Sequence, residues 1–368
     1  MSPALAAVLE SPRRLRIREF SIPEVGRDGG LLRVEACGLC GTDYEQWQGH
    51  LRDWGGGMPI IPGHEVLGRI EAIGPQAAKR WNVKKGDRVA IEPVIPCGHC
   101  SQCVVGAYTR CEADMGYGLY HGTDKPPSLW GGYATHLYLH PHSMVHRLPE
   151  GIAPDVMSLF NPLSNAIRWV YEVGRVGLGS SVVIAGPGQR GLLAAFVARR
   201  AGASTVIVTG TDKDKHRLEL ASRLGASATI NVEQEDPNAR VREITRGAPV
   251  DVVLDVSAGA VDPVRQAVDM VKRGGRIVLA GLKGSNPLGD FLIDKVVFRE
   301  IELVGVLSAG WTSCELAIDM IQRFPSELAP LCSHSFSLSH SNDAVAMLGR
   351  ESDSATEVVH VTLLPDTG

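Results

Sequence analysis

"SVVIAGPGQRGLLAAFVARRAG", residues 181–202, decides the fold. Its first part, "SVVIAG" (181–186), is a short apolar, β-branched run that reads as a buried strand. Gly186, Gly188 and Gly191 then form a G-x-G-x-x-G turn, and "LLAAFVARRAG" (192–202) reads as a helix ended by glycine. In that setting the first glycine permits the tight turn and the second lets a pyrophosphate approach the backbone. The third lets helix and strand pack closely, and the helix N-terminus offers amide donors and a positive field. Gln189 and Arg190 belong to the same cradle, with Arg190 either on the phosphate or in solvent. A glycine-rich turn in a non-binding α/β domain is the competing reading.

Outward from this turn the alternation continues. "STVIVTG", "VDVVLDV", "GRIVLAGL" and "IELVGVL" read as strands, and "DKHRLELASRLGA" (214–226) and "DPVRQAVDMV" as helices. Repeated βαβ units predict a doubly wound parallel sheet, a Rossmann-type nucleotide-binding domain over 163–305. Upstream, "LLRVEACGLC" (31–40) and "RVAIEPV" (88–94) read as strands joined by glycine-bearing turns, with helical character only after Cys40. Residues 1–162 therefore form a separate β-rich domain. The stretch from 104 to 132, rich in glycine and aromatics, reads as loops around a site. "SCELAIDMIQRF" is an amphipathic helix, and the final strand in "SATEVVHVTLL" returns to the first domain, which 306–368 completes.

The 368-residue chain is long enough for two cores, and its formal charge of −4 gives no basic excess for nucleic acid or an anionic membrane. The start, "MSPALAAVLESPRRLRI", lacks the features of a secretory signal, and no apolar run is long enough to span a bilayer. The expected compartment is the cytoplasm. Eight cysteines in a chain this long do not imply a disulfide scaffold; their distribution does the talking.

Four of them, Cys97, Cys100, Cys103 and Cys111, have spacings that close tetrahedrally on one zinc ion with no open position, which makes the site structural. An iron–sulfur cluster is the competing metal, and His99 inside the loop reads as a surface residue. A second donor set is Cys40, after a strand, with His64 and Glu65 in "PGHEVLG". Cys, His and Glu suit a zinc that keeps one coordination position for substrate.

The adenosine ribose needs a partner after the second strand of the βαβ unit. Counting from the glycines puts Gly210 there; counting back from the next helix puts Asp212 there, with Thr211 and Lys213 beside it. Asp212 favours NAD, because a carboxylate repels a 2′-phosphate. Gly210 with Lys213, Lys215 and Arg217 would tolerate NADP.

"CGLCGTD", "GHE-x-x-G", "GDRV", the four-cysteine lobe, "GPGQRG" and "GGRIVLAGL" together resemble the zinc-containing medium-chain alcohol and polyol dehydrogenases, in the sorbitol and threonine dehydrogenase branch, over nearly the whole chain. The resemblance implies a GroES-like first domain carrying both zincs, a Rossmann second domain, and hydride transfer between an alcohol and NAD(P). It makes Cys40 and His64 ligands of the catalytic zinc and Glu65 a ligand or close neighbour. Thr42 would pass the alcohol proton and Asp43 would orient His64.

Two positions depart from the family. Where polyol-type relatives read E-P-L this chain reads Asn161-Pro-Leu, so Asn161 stands in place of an acid beside the metal, holding a water there or serving only as a helix cap. Where many relatives carry a relay histidine this chain has Glu45; Glu45, His50 or water would take the proton. Trp47, Leu51, Trp54, Tyr120 and Trp130 are candidates to wall the pocket, which would suit a secondary or bulky apolar alcohol. The family also implies a homodimer or homotetramer, for which "SPRRLRIREF" and the 301–306 strand are candidate edges. A zinc-independent quinone or enone reductase and a non-catalytic nicotinamide-binding protein are the competing functions.

Overall fold

A computed structural model describes residues 3–51, 57–284, 286–351 and 357–365. The chain divides into two compact units, 1–161 with 317–368, and 162–316. The first division falls inside the helix Phe160–Ile167 and the second inside the helix Trp311–Arg323. The helix that follows the last strand of the parallel sheet begins within the second unit.

In the first unit the strand Gly30–Leu39 is central. It pairs antiparallel with Glu65–Ile73, with His136–Leu139 and with the returning strand His360–Leu364, where Val361 lies opposite Leu39. Arg88–Ile91 and Val145–Arg147 extend the sheet beyond Glu65–Ile73, and Cys332–Ser337 closes its other edge in parallel with His360–Leu364. Leu31, Leu32, Leu39, Val66, Ile70, Val89 and Leu363 are all buried in one apolar cluster, which fixes the register that aligns Cys40 with the start of the second strand.

The second unit is a six-stranded sheet in the order Ala228–Asn231, Thr205–Gly210, Ser181–Ala185, Val250–Asp255, Val271–Leu279, Glu302–Gly305, parallel throughout. The order reverses between Ser181–Ala185 and Val250–Asp255, the crevice where open α/β sheets bind their ligands. Two elements go beyond the sequence reading. The strand Ala228–Asn231 is only four residues long, and the helix Pro237–Ile244 is started by Asp236, whose Oδ1 accepts the N–H of Ala239 at 2.6 Å. Among the described residues no helix is long and apolar enough to cross a membrane.

Candidate metal centres and nucleotide cradle

Cys40 is the residue before the helix Gly41–Gln48, and the turn is fixed by Asp43, whose Oδ2 accepts the Cys40 N–H at 2.9 Å. The pairing of Gly38 with Glu65 across the sheet brings the two segments together. As a result Cys40 Sγ lies 3.2 Å from His64 Nε2, and the donor atoms of Cys40, His64 and Glu65 are all within 4.8 Å of one another. All three residues are buried. The other imidazole nitrogen, His64 Nδ1, faces Asp43 Oδ1 at 3.7 Å.

The electrostatics of this cluster ask for a cation. Burial by itself would depress the His64 imidazole, but the charges of Cys40, Asp43 and Glu65 outweigh it and push His64 up to about 10. Burial raises the Asp43 carboxyl, opposed by His64 and by the Cys40 backbone. Three potential anions around one imidazole, sealed from water, fit a divalent metal that supplies the missing charge. Sulfur, nitrogen and oxygen donors of this kind suit zinc.

Gly38 is required by this packing. A Cβ there would lie 2.7 Å from Glu65 Oε2 and 2.9 Å from His360 Cε1. His360 is itself held by Ser158, Nε2 to Oγ at 2.7 Å, so the C-terminal strand supplies the wall behind Glu65. Sequence reading missed both residues; they are remote in sequence and meet only through the strand return.

The other proposed participants are placed as follows. Thr42 is half-buried in the first turn of the helix that Cys40 starts. Glu45 and His50, read as alternatives, form a pair: His50 Nδ1 lies 2.7 Å from Glu45 Oε2 at the exposed end of that helix. Asn161 is buried and is the second residue of the helix Phe160–Ile167, not the residue preceding it.

Two of the pocket candidates belong to the core instead. Trp47 is buried, donates from Nε1 to Asn342 Oδ1 at 3.3 Å and carries the Arg13 guanidinium 4.3 Å from its ring centroid. Trp130 is buried among Tyr117, His121 and Tyr138 and donates to the Lys125 carbonyl at 3.0 Å. An indole that can bury its faces and satisfy its N–H is most stable as a loop plug. Leu51 and Tyr120 are partly exposed, and Trp54 lies outside the described residues.

The four-cysteine loop gathers Cys97, Cys100, Cys103 and Cys111 with all sulfurs within 4.8 Å. Cys97 N–H points at Cys111 Sγ and Cys100 N–H at Cys97 Sγ, both at 3.3 Å. Backbone N–H groups, that of Glu112 foremost, pull the Cys100 thiol down to about 6, whereas burial pushes Cys103 up. Four thiols this close form a closed cation site, and amides aimed at sulfur support thiolates. His99 is exposed, with Nδ1 3.0 Å from the Cys97 carbonyl oxygen. The lobe is tied down by Tyr108, whose hydroxyl donates to Glu92 at 2.8 Å; Glu92 in turn lies 2.8 Å from His146 Nε2, and both of these side chains are fully buried.

In the second unit the glycine turn has the geometry of a phosphate cradle. Gly186 has φ +102°, and a Cβ on Gly191 would lie 1.9 Å from the Gly186 carbonyl oxygen, whereas one on Gly188 would meet nothing within 4 Å. The first and third glycines are therefore fixed by backbone packing, and the second leaves the approach open. Gln189 and Arg190 begin the helix Gln189–Arg200. Gly210 ends the next strand, and Thr211 begins the turn after it, its hydroxyl donating to Asp214 Oδ2 at 2.8 Å. Arg217 is directed to Asp214 at 3.8 Å. Asp212 Oδ1 accepts from Asn231 Nδ2 at 2.6 Å and Gln234 Nε2 at 2.7 Å, and Lys213 follows it in the turn.

Similarity to known proteins gives the family. Residues 26–150 match the alcohol dehydrogenase GroES-like domain and 191–323 match the zinc-binding dehydrogenase family. A probable alcohol dehydrogenase of Mycobacterium tuberculosis is 42% identical over 98% of both chains. An L-threonine 3-dehydrogenase of Escherichia coli is 30% identical over 90% of this chain and 92% of its own. The crystal structure of a putative zinc-binding dehydrogenase from Sinorhizobium meliloti bound to NADP superposes with a TM-score of 0.85 at 27% identity, over 99% of this chain and 100% of that one. These relatives give no support to a zinc-independent reductase or a non-catalytic protein. A buried Cys–His–Glu centre, a four-thiol lobe and a glycine cradle on a parallel sheet thus occur together in a chain that belongs to the zinc-containing medium-chain alcohol dehydrogenase family.

Proposed function

We propose that the chain interconverts a small-molecule alcohol, secondary or bulky and apolar, with its carbonyl compound, using NAD or NADP and a catalytic centre made by Cys40, His64 and Glu65. The observation that carries this reading is the buried, mutually close donor set of those three residues. Cys40, His64 and Glu65 would hold a zinc that would supply Lewis-acid polarisation of the alcohol or carbonyl oxygen, and a bound nicotinamide would supply the hydride chemistry. Cys97, Cys100, Cys103 and Cys111 hold the second, structural zinc.

The protein's own residues bind, orient and move the proton. Asp43 anchors the Cys40 backbone and faces His64, so it fixes the imidazole that binds metal. Thr42 takes the alcohol proton. Glu45, three residues on and therefore on the same helix face, passes it with His50 to solvent; their 2.7 Å contact supports a shared role. Asn161 supplies a neutral amide that holds water near the ligands. Gly186, Gly188, Gln189, Arg190 and Gly191 bind the pyrophosphate, and Gly210, Thr211, Asp212, Lys213 and Arg217 border the adenosine ribose.

Self-association into a dimer or tetramer fits the open edge strand Glu302–Gly305, with Leu303, Leu307, Val297 and Phe298 exposed around it. Eight cysteines, none of them in a disulfide, fit the reducing cytoplasm. Elemental analysis of protein purified without chelator tests the central reading. The expected content is about two zincs per chain, falling to about one in Cys40→Ser with loss of alcohol-dependent reduction of NAD or NADP. A wild-type chain that holds one zinc and takes up no second on addition would overturn the catalytic assignment.

A further inference from the structure

The loop after the strand Ala228–Asn231 meets the turn that follows Thr205–Gly210 through Glu233. Gly210 and Asn231 are register partners in adjacent parallel strands. Gly210 has no room for a side chain: a Cβ would lie 2.8 Å from Pro187 Cγ in the cradle turn and 3.1 Å from Asp214 Cβ. The acid that usually ends this strand is therefore excluded by packing, and carboxylates must come from elsewhere.

They come from the turn itself and from the neighbouring loop. Asp212 is gripped by Asn231 and Gln234, while its backbone N–H donates to Glu233 Oε2 at 2.6 Å. Glu233 is placed by its own N–H, which donates to Asn231 Oδ1 at 3.1 Å. One carboxylate thus already occupies the amide at the start of the turn, and another lies beside it. The adjoining cavity of about 460 Å³ is lined by Asp212, Glu219 and Lys215, among others. Arg217 is engaged with Asp214 at 3.8 Å.

We propose that Glu233, with Asp212, makes this chain select NAD over NADP by seating a carboxylate on the backbone amide that a 2′-phosphate would take. The proposal rests on the dinucleotide reading of the cradle given above. A phosphate ester entering here must displace Glu233 from the Asp212 N–H and approach a second anion, whereas the unphosphorylated ribose has no such conflict. Glu233 acts on specificity; it takes no part in hydride or proton transfer.

Fluorescence titration of the zinc-loaded full chain with NADH and with NADPH tests this without turnover. Wild type is expected to bind NADH on the order of tenfold or more tighter than NADPH. Glu233→Gln, and independently Glu233→Ala, should tighten NADPH by about five- to tenfold and leave NADH within about threefold. The NADPH gain should shrink as salt rises, since the contact is exposed. Equal or tighter binding of NADPH by wild type, or an unchanged NADH-to-NADPH ratio in both variants, would overturn the role of Glu233 while leaving the dehydrogenase reading intact. Failure of wild type to bind either nucleotide would instead overturn the cradle reading and this proposal with it.

Discussion

At the scale of single residues, the metal centre depends on contacts with no slack. Gly38→Ala would drive a methyl group to 2.7 Å from the Glu65 carboxylate. The expected cost is about 1–3 kcal/mol from overpacking, read by denaturant unfolding, together with loss of one of the two zincs. Asp43→Ala removes the acceptor of the Cys40 N–H and the group facing His64. It should weaken retention of the catalytic zinc by about 10–100-fold, measured by competition with a chelator, while the four-cysteine site keeps its ion. Unchanged zinc retention in that variant would show that Asp43 serves only the helix start. Asn161 is the second residue of the helix Phe160–Ile167, one position inside the place a side-chain cap would take.

Among elements, two anchors stand out that carry no chemistry of their own. The zinc lobe is held to the first unit's sheet through Tyr108, Glu92 and His146. Tyr108→Phe leaves the buried Glu92 carboxylate short of a donor. The expected loss is about 1–3 kcal/mol, with faster release of the structural zinc to chelator; a release rate equal to wild type would mean that the thiol cluster stands without its anchor. In the second unit Asp251 joins three strands, accepting from Ser181 N–H at 2.7 Å, from Ser181 Oγ at 2.8 Å and from Lys272 Nζ. Burial raises this carboxyl, but Lys272 and Ser181 overcome it, and the net direction is downward. A carboxyl depressed in the folded state contributes stability above its unfolded value, near 4, and loses it as pH falls through the folded value. Asp251→Asn should therefore cost about 1.5–3 kcal/mol at neutral pH, with the difference from wild type shrinking below about pH 4. A pH-independent difference in urea unfolding would assign the cost to packing.

For the whole molecule, the exposed edge of the parallel sheet is the feature with the clearest consequence. Among the described residues the strand Glu302–Gly305 pairs on one side only, with Leu303 exposed 40% and Phe298 of the preceding helix exposed 74%. If copies of the chain meet there, Leu303→Lys should shift sedimentation velocity from the dimer or tetramer to the monomer with zinc content unchanged. A wild-type monomer at micromolar concentration would rule out this edge as an interface.

Much of this protein was legible in its sequence because the decisive features are local. The glycine turn between a β-branched run and a helix and the four closely spaced cysteines each put their chemistry within a few residues, where spacing and turn geometry suffice; Cys40 and His64–Glu65 come together only through the pairing of Gly38 with Glu65. The parallel sheet followed from alternating periodicity. What required the tertiary structure involved residues that meet across long sequence gaps. His360 and Ser158 close the wall behind Glu65 only because the last strand returns beside Gly30–Leu39. Glu92, just after the strand Arg88–Ile91, and His146 become an anchor only because that strand pairs with Val145–Arg147. Glu233 reaches the turn at Asp212 only because Asn231 lies in register with Gly210. Trp47 and Trp130 looked like pocket walls in sequence, since an aromatic in a loop has no periodicity to say which way it faces; packing turned both inward. Sequence determines the local turns and ligand sets through backbone and spacing constraints. Strand register and side-chain burial, which depend on the whole set of contacts at once, decide the rest.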